Sequence, residues 1–176
     1  MPRDFCHVLF AVSLLCCLPA QAHACWNQAA QRHGVPAALL YAIAKVESGL
    51  NPQAVNRSHF QRTRSIDIGL MQINSRHLPA LAPHGITEAN LYEPCTNLDV
   101  GAWLLAGLFA RKGLSWDSVG AYNAACSELK GLACTQARSN YAWKVFRQLP
   151  TWQPRPNPAM PRPQPAASLR AARVTP

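Results

Sequence analysis

Glu47 is the residue in this chain best placed to do chemistry. It closes the apolar run Leu39-Leu40-Tyr41-Ala42-Ile43-Ala44-Lys45-Val46 and precedes the helix-stopping stretch Ser48-Gly49-Leu50-Asn51-Pro52. Counted back in helical steps, it shares a face with Ile43 and Leu40. A carboxyl group on an apolar face is desolvated, which disfavours its charged form and raises its pKa. A carboxylic acid that keeps its proton near neutral pH is what general acid catalysis needs. Taken alone, Glu47 also reads as an exposed glutamate in the last turn of a helix. The chain beyond it favours the first reading. Asp67-Ile68-Gly69-Leu70-Met71-Gln72-Ile73-Asn74-Ser75-Arg76 follows, then Ala121-Tyr122-Asn123, then Tyr141-Ala142-Trp143-Lys144-Val145.

Together with Glu47-Ser48-Gly49-Leu50-Asn51-Pro52, these segments resemble the catalytic domain of the soluble lytic transglycosylases. That family is marked by an E-S-x-x-N-P block, a G-L-M-Q block, an A-Y-N block and a late Y-x-x-x-V. Each block is weak by itself; all four in order are specific. The resemblance runs over roughly Cys25 to Leu149. It is strongest to the small exported enzymes that accompany type III and type IV secretion, conjugation and pilus assembly. It implies a mainly α (α+β), lysozyme-like fold: a helical bundle with a small loop or hairpin region carrying Asp67 and Gly69 to Gln72.

The resemblance also implies a mechanism. Glu47 protonates the leaving oxygen of a MurNAc-GlcNAc β-1,4 bond, and an oxocarbenium-like centre forms. The same carboxylate then takes the proton of the C6 hydroxyl, which attacks its own anomeric carbon. The product is a 1,6-anhydro sugar, and neither water nor a cofactor is consumed. Asp67 departs from the plain family pattern. Its segment also looks like the lysozyme strand that carries a second carboxylate, so Asp67 reads as an electrostatic stabiliser, or as a nucleophile. A turn-capping aspartate is the plainer alternative. The remaining blocks supply the sugar cleft. Ser48 hydrogen-bonds near Glu47. The Met71 backbone, Gln72 and Asn74 hold N-acetyl groups. Tyr122 orients Glu47, Asn123 meets the sugar, and Tyr141 lines the far wall. Met71 and Tyr141 also suit a core, and Asn74 a turn. Two other functions stay open. One is a lysozyme-like hydrolase using Glu47 and Asp67 on water. The other is an inactive wall-binding assembly protein, against which the intact Glu47 argues.

The composition fits an exported enzyme. Residues 1–24 read as a signal peptide, with Arg3 before the apolar run Val8 to Leu18 and Ala22-His23-Ala24 as a small-x-small cleavage pattern. The run is too short to span a membrane. This predicts periplasmic localisation and no stable span in the mature protein. Of the seven cysteines, Cys25, Cys95, Cys126 and Cys134 remain after cleavage. An even count in an exported chain predicts disulfides. Three pairings are open; Cys25–Cys95 with Cys126–Cys134 is favoured, a long tie to the N-terminus plus a local loop. Chain entropy gives about 4 kcal/mol for the first and about 2–3 kcal/mol for the second. No ligand spacing supports a metal site. The net charge is +9, of which residues 25–150 carry +5 and residues 151–176 carry +4. A basic surface suits an anionic polymer such as peptidoglycan, and no nucleic-acid-binding motif is present. A monomer that meets a component of an envelope-spanning secretion or pilus machinery completes the expectation.

The elements that must position these residues are mostly helices. Trp26 to His33 forms a short helix stopped by Gly34, and Pro36 opens a helix that runs to Ser48. Residues 56–64 form a loop or short hairpin. Residues 86–91 form a short helix or turn with Thr87 as N-cap. Asn97 or Asp99 caps a helix through Arg111, stopped by Gly113. Ser115 caps the helix bearing Tyr122, and a last helix spans about Thr135 to Leu149. Trp103, Trp116 and Trp143 are assigned to the core, and the histidines to the surface. Residues 25–150 thus make one domain. Residues 151–176, with seven prolines, read as a Pro/Arg-rich, disordered or polyproline-II-like tail.

Overall fold

The computed structural model describes the backbone of residues 18–150 and the side chains of residues 25–150. Most of the expected signal segment and all of the Pro/Arg-rich tail therefore lie outside the described residues. Helix α1 (Leu18–His33) ends at Gly34, whose φ of +66° stops it. Helix α2 (Ala37–Ser48) follows Pro36 and ends on the left-handed Gly49, whose N–H bonds back to Lys45. Leu39, Leu40, Ala42, Ile43 and Ala44 bury one side of α2. Glu47 extends that side by one turn.

A small antiparallel sheet follows, ordered β1 (Val55–Asn56), β2 (Asp67–Ile68) and β3 (Ile73–Asn74). Between β1 and β2 lies one helical turn, α3 (Phe60–Thr63), where a loop or hairpin was predicted. The register pairs Asn56 with Asp67 and Asp67 with Asn74, and sets Val55 beside Ile68 beside Ile73. One row of the sheet is therefore polar and the next apolar, as the period of two requires. Ile68 and Ile73 enter the core.

The chain then passes through α4 (Leu78–Leu81) into the central helix α5 (Pro94–Lys112). Residues 89–92 form a short 3₁₀ segment before it. Helix α6 (Trp116–Asn123) and helix α7 (Gly131–Phe146) complete the domain. The core gathers around α5, with Leu98, Ala102 and Leu105 packed among residues of α2 and the sheet. Gly120 of α6 lets α7 approach closely, since a Cβ there would stand 2.5 Å from the Arg138 carbonyl oxygen. Disulfides join Cys25 to Cys95, tying α1 to α5, and Cys126 to Cys134, closing the α6–α7 connection. Asp99 adds an ion pair to Arg32 at 2.9 Å and a contact to His33 at 3.0 Å.

Several sequence expectations change. Helix α5 starts at Pro94, three residues before Asn97, so neither Asn97 nor Asp99 is its cap. Thr87 does not cap; its backbone N–H and hydroxyl both donate to Asn90 Oδ1, at 2.8 and 2.7 Å. Helix α7 begins at Gly131, a turn earlier than expected. Ser115 does cap α6, accepting from the Ser118 N–H at 3.2 Å. Trp103, Trp116 and Trp143 are 42%, 46% and 58% exposed, so none belongs to the core. His33 is held against Asp99, and His59 lies 3.7 Å from Asp67, so neither is a free surface histidine. Among the described residues no helix is long and apolar enough to cross a membrane.

The disulfide pairing generates a direct check. Protein beginning at Cys25, denatured without reductant, should give no signal in thiol titration. Two or more free thiols per chain would contradict the pairing.

Candidate active site

A cleft of about 480 Å³ opens between the sheet and the helices α5 and α6. Glu47 enters it from the end of α2, Asp67, Gln72 and Asn74 from the sheet, and Tyr122 and Asn123 from α6. Leu104 and Leu108 of α5 form an apolar side, while Arg76, His77 and Arg111 add basic groups.

The Glu47 carboxyl sits where helix geometry directs it, against the apolar side of α2. Burial is the main cause that pushes its pKa up from 4.5 to about 7. The negative charge of Asp67 raises it further, while a hydrogen bond from Tyr141 and the charge of Lys144 lower it. The Tyr141 hydroxyl donates directly to Glu47 Oε1 across a sequence separation of 94. Tyr141 itself is 5% exposed, and burial together with Glu47 holds its phenol far above its ordinary pKa. It therefore stays a donor at every working pH. Tyr122, predicted to orient Glu47, donates instead to the Met71 carbonyl at 3.1 Å. The two tyrosines have exchanged the roles read from the sequence.

Asp67 is organised by the sheet register. Asn74 Nδ2 donates to one of its oxygens at 2.7 Å, and Asn56 Nδ2 to the other at 3.2 Å. His59 Nδ1 stands 3.7 Å from the second oxygen. A carboxylate that accepts two amide N–H groups is fixed in orientation. Asn74 also donates to Ser65 Oγ and accepts from the Arg76 N–H, so its amide is used within the turn. Asn74 still lines the cleft, and the contact expected of it with an N-acetyl group stays a proposal.

Ser48 and Met71 hold the cleft loop in place. Ser48 Oγ donates to the Leu70 carbonyl at 2.8 Å and to Ala44, fastening the end of α2 to the loop of residues 69–72. Met71 is fully buried. Its N–H donates to Asn97 Oδ1 at 2.7 Å, and its carbonyl accepts from Tyr122. Neither backbone group of Met71 points free into the cleft. Gln72 lines the cleft with φ at +49°, and its Nε2 donates to the Gly69 and Ala54 carbonyls at 2.8 and 3.1 Å. Asn123 is exposed at the cleft and suited to a ligand contact.

Asn97 is the residue supporting the site that sequence reasoning missed. Fully buried, its Nδ2 donates to the Ile68 and Leu91 carbonyls at 2.9 and 2.7 Å. A lone Asn near a helix start reads as a cap, and no spacing signals a buried hub. Asn56 and His59 were passed over for a related reason: their contacts with Asp67 depend on the hairpin register. Gly69 completes the arrangement. Its φ is +76°, and a Cβ would stand 2.4 Å from both Asn97 Nδ2 and the Leu91 oxygen.

The arrangement therefore holds one raised, tyrosine-bonded carboxylic acid and one amide-clamped carboxylate in a single cleft. That is a division of roles between acid and charge stabiliser of the kind used in glycoside cleavage. Comparisons with known proteins agree. The family model described as "Transglycosylase SLT domain" matches residues 24–142. "Invasion protein IagB" of Salmonella typhi is 40% identical over 129 residues, covering 71% of this chain and 76% of that protein. "Protein IpgF" of Shigella flexneri is 38% identical over 141 residues, covering 79% and 88%. A solved structure of an inactive mutant of the lytic transglycosylase Slt from Pseudomonas aeruginosa superposes with a TM-score of 0.56 at 20% identity. That match covers 74% of this chain but only 24% of the larger protein, and it establishes the shared lysozyme-like fold.

The Glu47 pKa carries a stability consequence. Between pH 4.5 and about 7 the native state holds a proton that the unfolded chain has released. Its contribution is therefore present below that window and lost as pH rises through it. Glu47→Gln should remove this pH dependence and stabilise the protein at pH 8 by roughly 1–3 kcal/mol, read by urea denaturation. Tyr141→Phe removes a donor that favours the carboxylate. The alkaline limb of the pH–rate profile should then move to higher pH.

Proposed function

The chain belongs to the transglycosylase SLT domain family, and from that premise we propose that it cuts the MurNAc-GlcNAc β-1,4 bond of peptidoglycan and leaves a 1,6-anhydro-MurNAc end. The single observation that carries this reading is the Glu47 carboxyl, raised to about 7 and bonded to Tyr141. Below that pH it holds the proton that the leaving O4 needs. Once the proton has gone, the carboxylate is held by the Tyr141 hydroxyl, ready to accept the C6 hydroxyl proton. The C6 oxygen then bonds to C1 as the C1–O4 bond breaks. One proton enters and one leaves, so no water is required. Asp67, clamped by Asn56 and Asn74, supplies negative charge opposite the developing oxocarbenium. Asn123 and the exposed edge of Gln72 supply sugar contacts.

We infer further that residues 1–24 direct export, that residues 25–150 act in the periplasm, and that the enzyme opens the wall locally for an envelope-spanning apparatus. Support comes from the signal-like N-terminal sequence, from two disulfides suited to an oxidising compartment, and from relatives named as invasion-associated. A hydrolase using Asp67 and water is the second reading, favoured by the presence of both carboxylates in one cleft.

Digestion of purified sacculi followed by mass spectrometry separates the two. Anhydro ends are expected, and reducing ends alone would establish hydrolysis. Glu47→Gln should lower the rate by about 10²–10⁴ or more with the fold intact. Asp67→Asn should lower kcat more than it changes KM, and by less than Glu47→Gln. It should also shift the alkaline limb to lower pH, because it removes a charge that raises the Glu47 pKa. Full activity with a lowered Tm would make Asp67 a structural residue only.

A further inference from the structure

Trp116, Trp143 and Phe146 line a second groove, of about 330 Å³, on α6 and α7. No residue of this groove lines the catalytic cleft. Phe146 is 48% exposed, close to the two tryptophans flanking it. Its ring meets both indoles edge-on, with centroids 5.6 and 5.4 Å away. Aromatic side chains are the largest apolar groups a chain can bury, and three left half in water on one groove mark an interaction surface.

We propose that this groove is the docking site for the chain's own Pro/Arg-rich segment, residues 151–166. Phe146 both ends α7 and lines the groove. The segment begins five residues after Phe146 in the chain, so the tether between groove and segment is short. It carries Pro154, Pro156, Pro158, Pro161, Pro163 and Pro165, together with Arg155 and Arg162, and no acidic residue. Segments of this composition form polyproline II helices, which dock into aromatic-lined grooves because little conformational freedom is left to lose. At about 3.1 Å per residue, even half of the segment outreaches a groove built from two neighbouring helices. Asp117 at the groove keeps half of its side chain in water beside its 3.0 Å pair with Arg138, and offers a carboxylate to Arg155 or Arg162. Tethering makes the encounter intramolecular, at an effective concentration in the millimolar range.

The other occupants fit less well. The polar groups a glycan would need are few here, Asp117, Thr135 and Ser139, and Asp117 already pairs with Arg138 at 3.0 Å. A second copy needs roughly 800 Å² from each partner, which a groove lined by seven residues does not supply.

The test is photo-crosslinking in the chain from Cys25 to Pro176, with a benzophenone amino acid at Ser139 or, separately, at Thr135. Both residues are exposed on the groove. Adducts within one chain that map to residues 151–166 are expected, at a yield unchanged by tenfold dilution, as an intramolecular contact requires. Replacing the six prolines with serine should cut that yield by about fivefold or more, with helical circular dichroism unchanged. Three results would overturn the proposal: no adduct to residues 151–166 from either position, adducts between chains whose yield falls on dilution, or adducts to glycan fragments in place of the segment when peptidoglycan is added.

Discussion

One buried side-chain amide joins the parts of the molecule that meet at the cleft. Asn97 takes the Met71 N–H and gives its own two hydrogens to the Ile68 and Leu91 carbonyls. The loop of residues 69–72 is thereby pinned to α5. Once pinned, its other backbone oxygens become fixed acceptors: Leu70 for Ser48 of α2, and Met71 for Tyr122 of α6. The helix that carries Glu47 and the helix that carries Asn123 are thus referenced to the same four residues. An amide this deep is an economical hub only while fully satisfied, because each orphaned partner costs about 1–3 kcal/mol. Gly69 belongs to the same constraint, since any side chain there would occupy the space the amide needs.

The first turns of α5 divide their labour by face. Cys95 and Asp99 are one turn apart and both reach α1, through the disulfide and through Arg32 and His33. Asn97 lies between them in sequence and faces the loop. The N-terminal helix and the loop of residues 69–72 are therefore held by opposite sides of one short stretch. This stretch begins at a proline whose missing N–H costs nothing at a helix start.

The electrostatics of the cleft follow from unequal solvation. Glu47 stands on the apolar side of α2 with a single strong donor, Tyr141, so burial outweighs the hydrogen bond and its pKa rises. Asp67 lies on the polar row of the sheet and receives amide hydrogens on both oxygens. A desolvated glutamate beside a buried phenol with a raised pKa suits the acid-then-base role proposed for Glu47.

Much of this was legible in the sequence. The apolar period of residues 39–46 put Glu47 on a buried face, because helical spacing alone decides which side of a helix a residue takes. The four ordered blocks identified the family and the fold, and the even count of cysteines from Cys25 onward foretold disulfides. What the sequence could not decide were contacts between elements. Nothing in the chain says whether Tyr122 or Tyr141 meets Glu47. The packing of α7 against the end of α2 gives that place to Tyr141. The partners of Asp67 waited on a register of two-residue strands, too short to show a pattern. Asn97 looked like a cap, and the tryptophans looked like core, because composition reports that a side chain is apolar and not whether a neighbouring helix arrives to cover it. Periodicity fixes faces; only packing fixes which faces meet.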